Sequence, residues 1–487
     1  MGIAARLRRW LVNLVVLACA VGLLAAVGPK GSASGTGTGP WHERFITDAQ
    51  GRALILYGLN TSDSAENSAD GMPWIKQSDV AGEYNTLGTD FVRYLIQWSR
   101  VEPSPGVFDQ QYLAQVAQRV AWYKAKGYLV LLDMHQDGYG AAVGGDGAPA
   151  WATDAGGQPA VPKSPWALDY VQPGVVHAFD EFWGTRPDHP EYQQQYAAAW
   201  VQVAKYFAGN NAVLGYDLMN DPWGGSVQGP AFETGPLAAF YQRTVDSIRT
   251  VDADHWLFVE PAAVSAGASL PSALPKLNDP RPGGGARISY APHLYPQPLD
   301  DGGSYTGSTA FLADRAIASW TIQVERTAQR MDAPVLLGEW GLDTTGDGAH
   351  LYIDKVQTVL DQMMIGDAYW SSDPGPWSPW TKPGEAAPIA SVLATAYPRA
   401  IAGEPVSFMY DKSTLSLTVS WKDKPGVKGS TDVYLPPSDY PFGGIVDTNG
   451  TGTPVTVWNP RTHILSVSVP KQAGLTHTLT VTPANSD

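Results

Sequence analysis

Short hydrophobic runs recur along the chain before residue 400, and each is followed by a stretch of helical length. Several runs are apolar almost throughout and end in polar or aromatic residues, as is typical of parallel strands buried on both faces. The eight runs are ALILYGLN at 53–60, DFVRYLIQW at 90–98, YLVLLDMH at 128–135, VLGYDLMN at 213–220, WLFVEP at 256–261, RISYAPHLY at 287–295, PVLLGEWG at 334–341 and DAYWSSD at 367–373.

The stretches between these runs carry helical patterns. Segment 109–127 repeats apolar residues every three or four positions and stops at Gly127, and segments 189–210 and 235–252 follow the same pattern. Eight strand–helix repeats predict an α/β fold, a (β/α)8 TIM barrel, whose active site lies at the C-terminal ends of the strands.

One connection is too long for such a repeat. About 50 residues rich in Gly, Pro, Ala and aromatics separate His135 from the helix that begins near residue 190. A long irregular segment in a compact domain is usually functional. We expect this segment to lie over the active site.

The hydrophobic pattern changes near residue 400. Alternating apolar and polar residues, separated by turn residues, replace the helical patterns and predict strands. We therefore predict a catalytic barrel at 34–400 and a C-terminal β-sandwich at 404–487, with a hairpin at 458–469.

The N-terminus has the pattern of an export signal. Arginines in the first ten positions precede an apolar run at 10–28 and then a stretch of small residues. This pattern predicts a signal peptide at 1–33 and a secreted protein, although the run is also about long enough for an uncleaved membrane anchor. The single cysteine, Cys19, lies inside the run, so the predicted mature chain has no disulfide.

The balance of acidic and basic residues indicates which kinds of partner the protein can bind. The chain carries 47 acidic and 32 basic residues, and no Lys/Arg cluster follows the first ten positions. Nucleic-acid binding needs a basic face, so we expect no nucleic-acid partner. We expect a monomer without cofactor or metal. The many aromatic residues can fill a large core or line a sugar- or lipid-binding groove.

Two carboxylates stand at predicted strand ends. Asp221 follows the fourth run and Glu339 ends the seventh. Hydrolysis of a glycosidic bond needs two carboxyl groups, one that protonates the leaving oxygen and one that attacks or stabilises the anomeric carbon. Either residue alone could instead cap a helix.

Seven residues in or after these runs are polar or aromatic and occur in a fixed order along the chain. They are Arg93 in FVRYLIQW, His135 in LLDMHQD, Asn220 in LMNDPW, His293 and Tyr295 in APHLYP, Glu339 in GEWG and Trp370 in AYWSSD. In this order they resemble the functional residues of glycoside hydrolase family five, and the resemblance covers about residues 45–395. The family has Glu where this chain has Asp221, in the stretch LMNDPW.

Within that family, LDMHQDGYG and YDLMNDPWGG are most similar to the endoglycoceramidases. This resemblance implies a glycosphingolipid substrate, transient contact with a membrane or micelle surface, Glu339 as nucleophile and Asp221 at the acid/base position. Arg93, Asn220, His135, Asp137, His293, Tyr295 and Trp370 would then position the nucleophile or bind the sugar. Segments 141–183 and 261–277 are candidates for an apolar ceramide slot.

Three hypotheses follow. The first is a retaining endo-β-glycosidase of glycosphingolipids, with activity reduced by Asp221. The second is a β-glucanase of the same family, and the third is a glycolipid-binding protein derived from an enzyme. Glu260, at the end of the fifth run, is a further carboxylate for which we expect no direct chemical role.

Overall fold

The computed structural model describes residues 41–161, 168–186, 188–263, 269–282, 284–449 and 452–485, except for the side chain of Asp63. The predicted signal peptide at 1–33 lies outside these residues. Within the described ranges, no helix has both the length and the apolar character needed to cross a membrane.

Eight parallel strands form a barrel, which confirms the predicted fold. The strands are β1 Tyr57–Asn60, β2 Phe91–Ile96, β3 Leu129–Met134, β4 Val213–Asp217, β5 Trp256–Val259, β6 Ile288–Tyr290 with His293–Leu294, β7 Leu336–Trp340 and β8 Gly366–Tyr369. Each strand from β1 to β6 pairs with the next, and β8 pairs with both β7 and β1. β6 is split at Ala291 and Pro292; its first piece bridges to Val335 and its second pairs with β7, which closes the barrel.

The helices surround this barrel. All six residues of β2 are buried, as expected for a strand covered on both faces. Helix Gln110–Lys124 begins where Asp109 accepts hydrogen bonds from two backbone N–H groups of its first turn. The α-helices are Asp63–Asn67, Gln77–Leu87, Trp98–Val101, Gln110–Lys124, Pro173–Trp183, Tyr192–Phe207, Pro230–Phe232, Ala238–Arg249, Gln297–Asp300, Gly307–Met331, Ala349–Met363 and Ala390–Leu393, with a π-helical turn at Glu233–Leu237.

The long connection after β3 contains a helix that packs against the helices of the barrel. Its helix Pro173–Trp183 buries Phe179, Phe182 and Trp183. Phe182 makes edge-on contacts with Tyr196 and Phe240, which belong to two barrel helices. These aromatic residues therefore anchor the connection to the barrel.

Two antiparallel sheets form the C-terminal part. The strands of the first sheet lie in the order Ala53–Leu54, β9 Tyr397–Ile401, β12 Thr431–Tyr434, β15 Ile464–Ser468 and β14 Val455–Asn459. The strands of the second sheet lie in the order β10 Glu404–Asp411, β11 Ser416–Lys422, β16 Thr476–Pro483 and β13 Gly444–Thr448. β14 and β15 form the predicted hairpin. The predicted run 53–60 is divided, because its first residues pair with β9 and only Tyr57–Asn60 enters the barrel. The exact domain boundaries stay a prediction.

Apolar and polar contacts join this sandwich to the barrel. Tyr57 of β1 stacks on Tyr397 of β9 with a 4.3 Å separation of ring centroids. Arg399 donates hydrogen bonds to the carbonyl groups of Gly88 and Thr89. The join is thus a packed interface.

Candidate active site

Arg93 lies at the centre of the C-terminal end of the barrel. Its side chain is fully buried, and its guanidinium group contacts residues from β1, β3, β4, β5 and β7 or the turns that follow them. Its contacts are with Asn60 at 3.1 Å, Asp133 at 3.0 Å, Asp217 at 2.9 Å, Asn220 at 2.9 Å, Glu260 at 2.9 Å and Glu339 at 2.6 Å. Because the guanidinium group is planar and permanently charged, this network fixes the orientation of every partner.

Glu339 is held at both oxygens. Its Oε1 accepts from Arg93 at 2.6 Å, and its Oε2 accepts from the hydroxyl group of Tyr295 at 3.0 Å. Burial raises the pKa of Glu339 above its ordinary value, and the positive charges of His293 and Arg93 only partly offset this. A buried carboxylate with a fixed orientation suits attack on an anomeric carbon.

Asp221 follows β4 in a turn that is unusual for a non-glycine residue. Its φ angle is 38°, and its backbone N–H donates to Glu260 Oε2 at 2.8 Å. Its Oδ1 lies 3.2 Å from Nδ1 of His293. Burial acts to raise the pKa of Asp221, but the positive charges of His293, His135 and Arg93 outweigh it, so the pKa lies below its ordinary value.

His293 lies between carboxylates. Its Nε2 is 3.3 Å from Glu260 Oε1, and its Nδ1 is also 3.7 Å from Glu339 Oε2. Burial acts to lower the pKa of His293, but Glu260, Glu339 and Asp221 raise it well above its ordinary value. The raised pKa favours the imidazolium form, whose positive charge lies beside the carboxylates of Asp221 and Glu260. These three residues also have the spacing of a metal-binding group.

Asp221 and Glu339 both lie beside His293. Their carboxylate oxygens are 3.2 and 3.7 Å from the same ring nitrogen, Nδ1, so the two groups face one small region of the barrel mouth. A pair of carboxyl groups that face one site is what hydrolysis of a glycosidic bond requires.

A second group of side chains borders the same mouth. His135 Nδ1 lies 2.7 Å from Asp133, its Nε2 lies 3.7 Å from Asp137, and its ring stacks on Trp370 at 5.8 Å. Asp137 also accepts from the hydroxyl group of Tyr170 at 2.8 Å. Polar groups beside an indole face are suited to the hydroxyl groups and apolar face of a sugar ring.

The comparisons with known proteins identify the family. The sequence profile of cellulase (glycosyl hydrolase family 5) matches residues 47–375, and that of the glycoside hydrolase family 5 C-terminal domain matches residues 396–481. The chain belongs to glycoside hydrolase family 5. As a family 5 member with this fold, it is a glycoside hydrolase.

Among solved structures, those of an endo-glycoceramidase are similar to this chain in sequence and fold. Endo-glycoceramidase II from Rhodococcus sp. is 47% identical, with a TM-score of 0.85 over 91% of this chain and 100% of that chain. The complex of that protein with ganglioside GM3 gives 46% identity and a TM-score of 0.86. Endoglycoceramidase I of Rhodococcus hoagii (strain 103S) is 26% identical over 428 residues, which is 83% of this chain and 81% of the relative.

The structure brings the predicted site residues of this family 5 chain to one end of the barrel. Asn220 and Glu339 both contact Arg93. Tyr295 contacts Glu339, and His293 lies 3.2 Å from Asp221. The other predicted residues, His135, Asp137 and Trp370, border the same mouth. Their individual roles stay predictions.

Sequence reasoning missed three residues that hold this site and gave no positioning role to a fourth, Glu260. Asp133 and Asp217 are polar interruptions at the ends of otherwise apolar strands, and Asn60 is the last residue of β1. A polar residue near the end of an otherwise apolar strand was the sequence signal that could have identified these three residues. Glu260 was expected to have no chemical role, yet it contacts Arg93, His293 and the Asp221 backbone.

Proposed function

We propose that this family 5 chain is a secreted, retaining endo-β-glycosidase that hydrolyses the glucose–ceramide linkage of glycosphingolipids and releases an intact oligosaccharide and ceramide. The supporting observation is the 46–47% identity, over 91% of the chain, to an endo-glycoceramidase whose structures include a ganglioside GM3 complex and a lactosyl-enzyme intermediate. We further propose that Asp221 reduces its turnover.

In the first step, Glu339 attacks the anomeric carbon of the glucose unit. The bond from that carbon to the ceramide oxygen breaks, and the oxygen takes a proton from Asp221. Arg93 and Tyr295 keep both oxygens of Glu339 in place before attack. The products are a glycosyl ester of Glu339 and free ceramide.

In the second step, water attacks the same carbon and gives its proton to the Asp221 carboxylate. The ester bond breaks, Glu339 leaves as a carboxylate, and the oligosaccharide is released with its original configuration. Asn220 accepts from Arg93 through its amide oxygen, so its amide nitrogen faces away from Arg93. That nitrogen is our candidate partner for the sugar 2-hydroxyl, where hydrogen bonds strengthen in the transition state.

We expect Asp221 to slow the first step. Its carboxyl group lies about 1.5 Å, one C–C bond, farther back than that of a Glu. The lowered pKa also reduces the fraction of Asp221 that carries the proton needed by the leaving oxygen. A ceramide alkoxide is a poor leaving group, so loss of protonation lowers the rate strongly.

The ceramide would bind beside the sugar site, between the connection after β3 and the segment after β5. We propose that the monomer meets its substrate at a membrane or micelle surface. Phe311 and Leu312 are exposed near the start of helix Gly307–Met331, which follows β6 and so begins on the active-site side. Their exposure makes this edge the candidate for that contact.

Incubation with ganglioside GM3 and, separately, with cellulose oligomers tests the proposal. Chromatography should show intact oligosaccharide and ceramide from the ganglioside and no shortening of the cellulose oligomers. Cleavage of the oligomers alone would instead support a family 5 β-glucanase.

A catalytically impaired glycolipid-binding protein is the second candidate, because His293 keeps the acid/base carboxylate ionised. Calorimetry with GM3 micelles separates the two. Tight binding without any released oligosaccharide after prolonged incubation would favour the binding protein.

A further inference from the structure

A cluster of two histidines and two carboxylates lies in the long connection after β3 and shares no residue with the catalytic site. His177 and Glu181 are one turn apart on helix Pro173–Trp183, and His177 Nε2 lies 3.9 Å from Glu181 Oε1. Asp154 comes from the loop before this helix, and its Oδ2 lies 3.6 Å from Nε2 of His189, which follows the helix. Ligand atoms of Asp154, His177 and Glu181 lie within 4.8 Å of one another.

Glu181 is the observation that points to a ligand. Its side chain is fully buried, and among the described residues neither of its oxygens has a hydrogen-bond partner. A buried polar group without a partner costs about 1–3 kcal/mol, and more if it is charged. A cation held between Glu181 and its neighbours would remove this cost.

Both histidines are oriented as metal ligands are. Nδ1 of His177 lies 3.1 Å from the carbonyl oxygen of Asp154, and Nδ1 of His189 lies 3.0 Å from Glu191. An Nδ1–H that donates to an oxygen leaves the Nε2 lone pair free, which is the usual arrangement around bound zinc. In both rings this Nε2 faces a carboxylate of the cluster.

The backbone of the loop passes close to the cluster at Gly156. Asp154 Oδ1 accepts from the backbone N–H of Gly156 at 2.7 Å, so its other oxygen faces His189. Gly156 has a φ angle of 57°, and a Cβ at this position would fill the space beside His177 Nε2. A residue with a side chain would therefore crowd the cluster.

We propose that Asp154, His177, Glu181 and His189 bind one Zn²⁺ ion, contrary to the expectation from the sequence. Zinc takes four nitrogen and oxygen ligands at about 2.0–2.2 Å in a tetrahedron, whose ligands are about 3.3 Å apart. Side-chain rotations must bring the three ligand atoms of Asp154, His177 and Glu181, which lie within 4.8 Å of one another, to this value. His189 must turn inward from its place 3.6 Å from Asp154 to become the fourth ligand. The ion would tie the loop before the helix and the turn after it to the helix itself, a structural role outside the chemistry.

The test uses full-length protein without a histidine tag, stripped with EDTA and titrated with zinc against a chromophoric chelator. We expect one zinc per chain and a higher Tm in the zinc-bound form. X-ray absorption should show nitrogen and oxygen ligands with imidazole scattering and no sulfur.

Two partly exposed ligands allow variants that keep the fold. Asp154→Asn and His189→Ala should each weaken zinc binding at least tenfold, whereas His350→Ala, an exposed histidine of helix Ala349–Met363, should leave it unchanged. Circular dichroism of each zinc-free variant checks its folding. The proposal is overturned if stripped protein binds no zinc, or if both variants bind it as tightly as the parent chain.

Discussion

The Asp221 carboxylate lies 3.2 Å from Nδ1 of His293, and this contact acts against its use as an acid. A general acid must carry a proton before it can donate one. His293 lowers the pKa of Asp221 despite burial, while burial raises the pKa of the nucleophile Glu339. Each shift runs in the direction opposite to the one that would help the first step.

The pH dependence with an activated aryl β-lactoside should reflect Glu339 alone. Glu339 attacks only when ionised, so kcat/KM should rise with pH through its pKa, which lies above that of an ordinary glutamate. An aryl leaving group needs little protonation, so ionisation of Asp221 should add no falling limb. A bell-shaped profile with this substrate would contradict the assignment.

Glu339→Gln should abolish hydrolysis and leave ligand binding intact. The variant keeps the shape of the side chain but lacks the nucleophile, so the rate should fall by several orders of magnitude. Product chromatography and calorimetry with GM3 micelles measure the two properties. Glu385→Gln, an exposed glutamate far along the chain, is the matched control. Substantial turnover by Glu339→Gln would show that another group is the nucleophile.

Glu260→Gln should act on Asp221 through His293. The substitution keeps a hydrogen-bond acceptor for Arg93 but removes the largest influence that raises the pKa of His293. We expect the pKa of His293 to fall in an NMR titration and, because a less positive His293 lowers the pKa of Asp221 less, we expect kcat with GM3 not to fall and the binding of GM3 to change little. An unchanged His293 titration would mean that Glu260 has only a packing role.

A chain that ends at residue 403 should be poorly soluble. Removal of the later strands would expose Tyr397 of β9, which stacks on Tyr57, and would leave the sheet of β9 without its partners β12, β14 and β15. Exposed apolar surface and an open strand edge both promote aggregation. Sedimentation and thermal unfolding measure the effect, and a shortened chain as soluble and stable as the parent would contradict it.

The barrel could be predicted from the sequence because strands buried on both faces leave long apolar runs. The polar residues within and after these runs then indicated Arg93 and Glu339 as candidate site residues, because side chains there meet at the C-terminal end of the barrel. The division of run 53–60 could not be predicted, because Ala53–Leu54 and Tyr57–Asn60 are equally apolar and only pairing with β9 separates them.

The interactions of single residues were harder to predict than the fold. Glu260 contacts Arg93 and His293, which lie far from it in the sequence, so no spacing along the chain predicts these contacts. The cluster of Asp154 and His189 likewise depends on how an irregular loop folds back on a helix. Long-range contacts between loops leave no periodic pattern along the chain.

Turnover of ganglioside GM3 by the Asp221→Glu variant tests the central claim most directly. The longer side chain extends the carboxyl group by about 1.5 Å toward the leaving oxygen. Measured beside the parent chain under the same conditions, the variant should release oligosaccharide faster by about two orders of magnitude or more, while its rate with an activated aryl glycoside changes much less. A Glu variant that is no faster than the Asp form on the ganglioside would contradict the claim that Asp221 limits this enzyme.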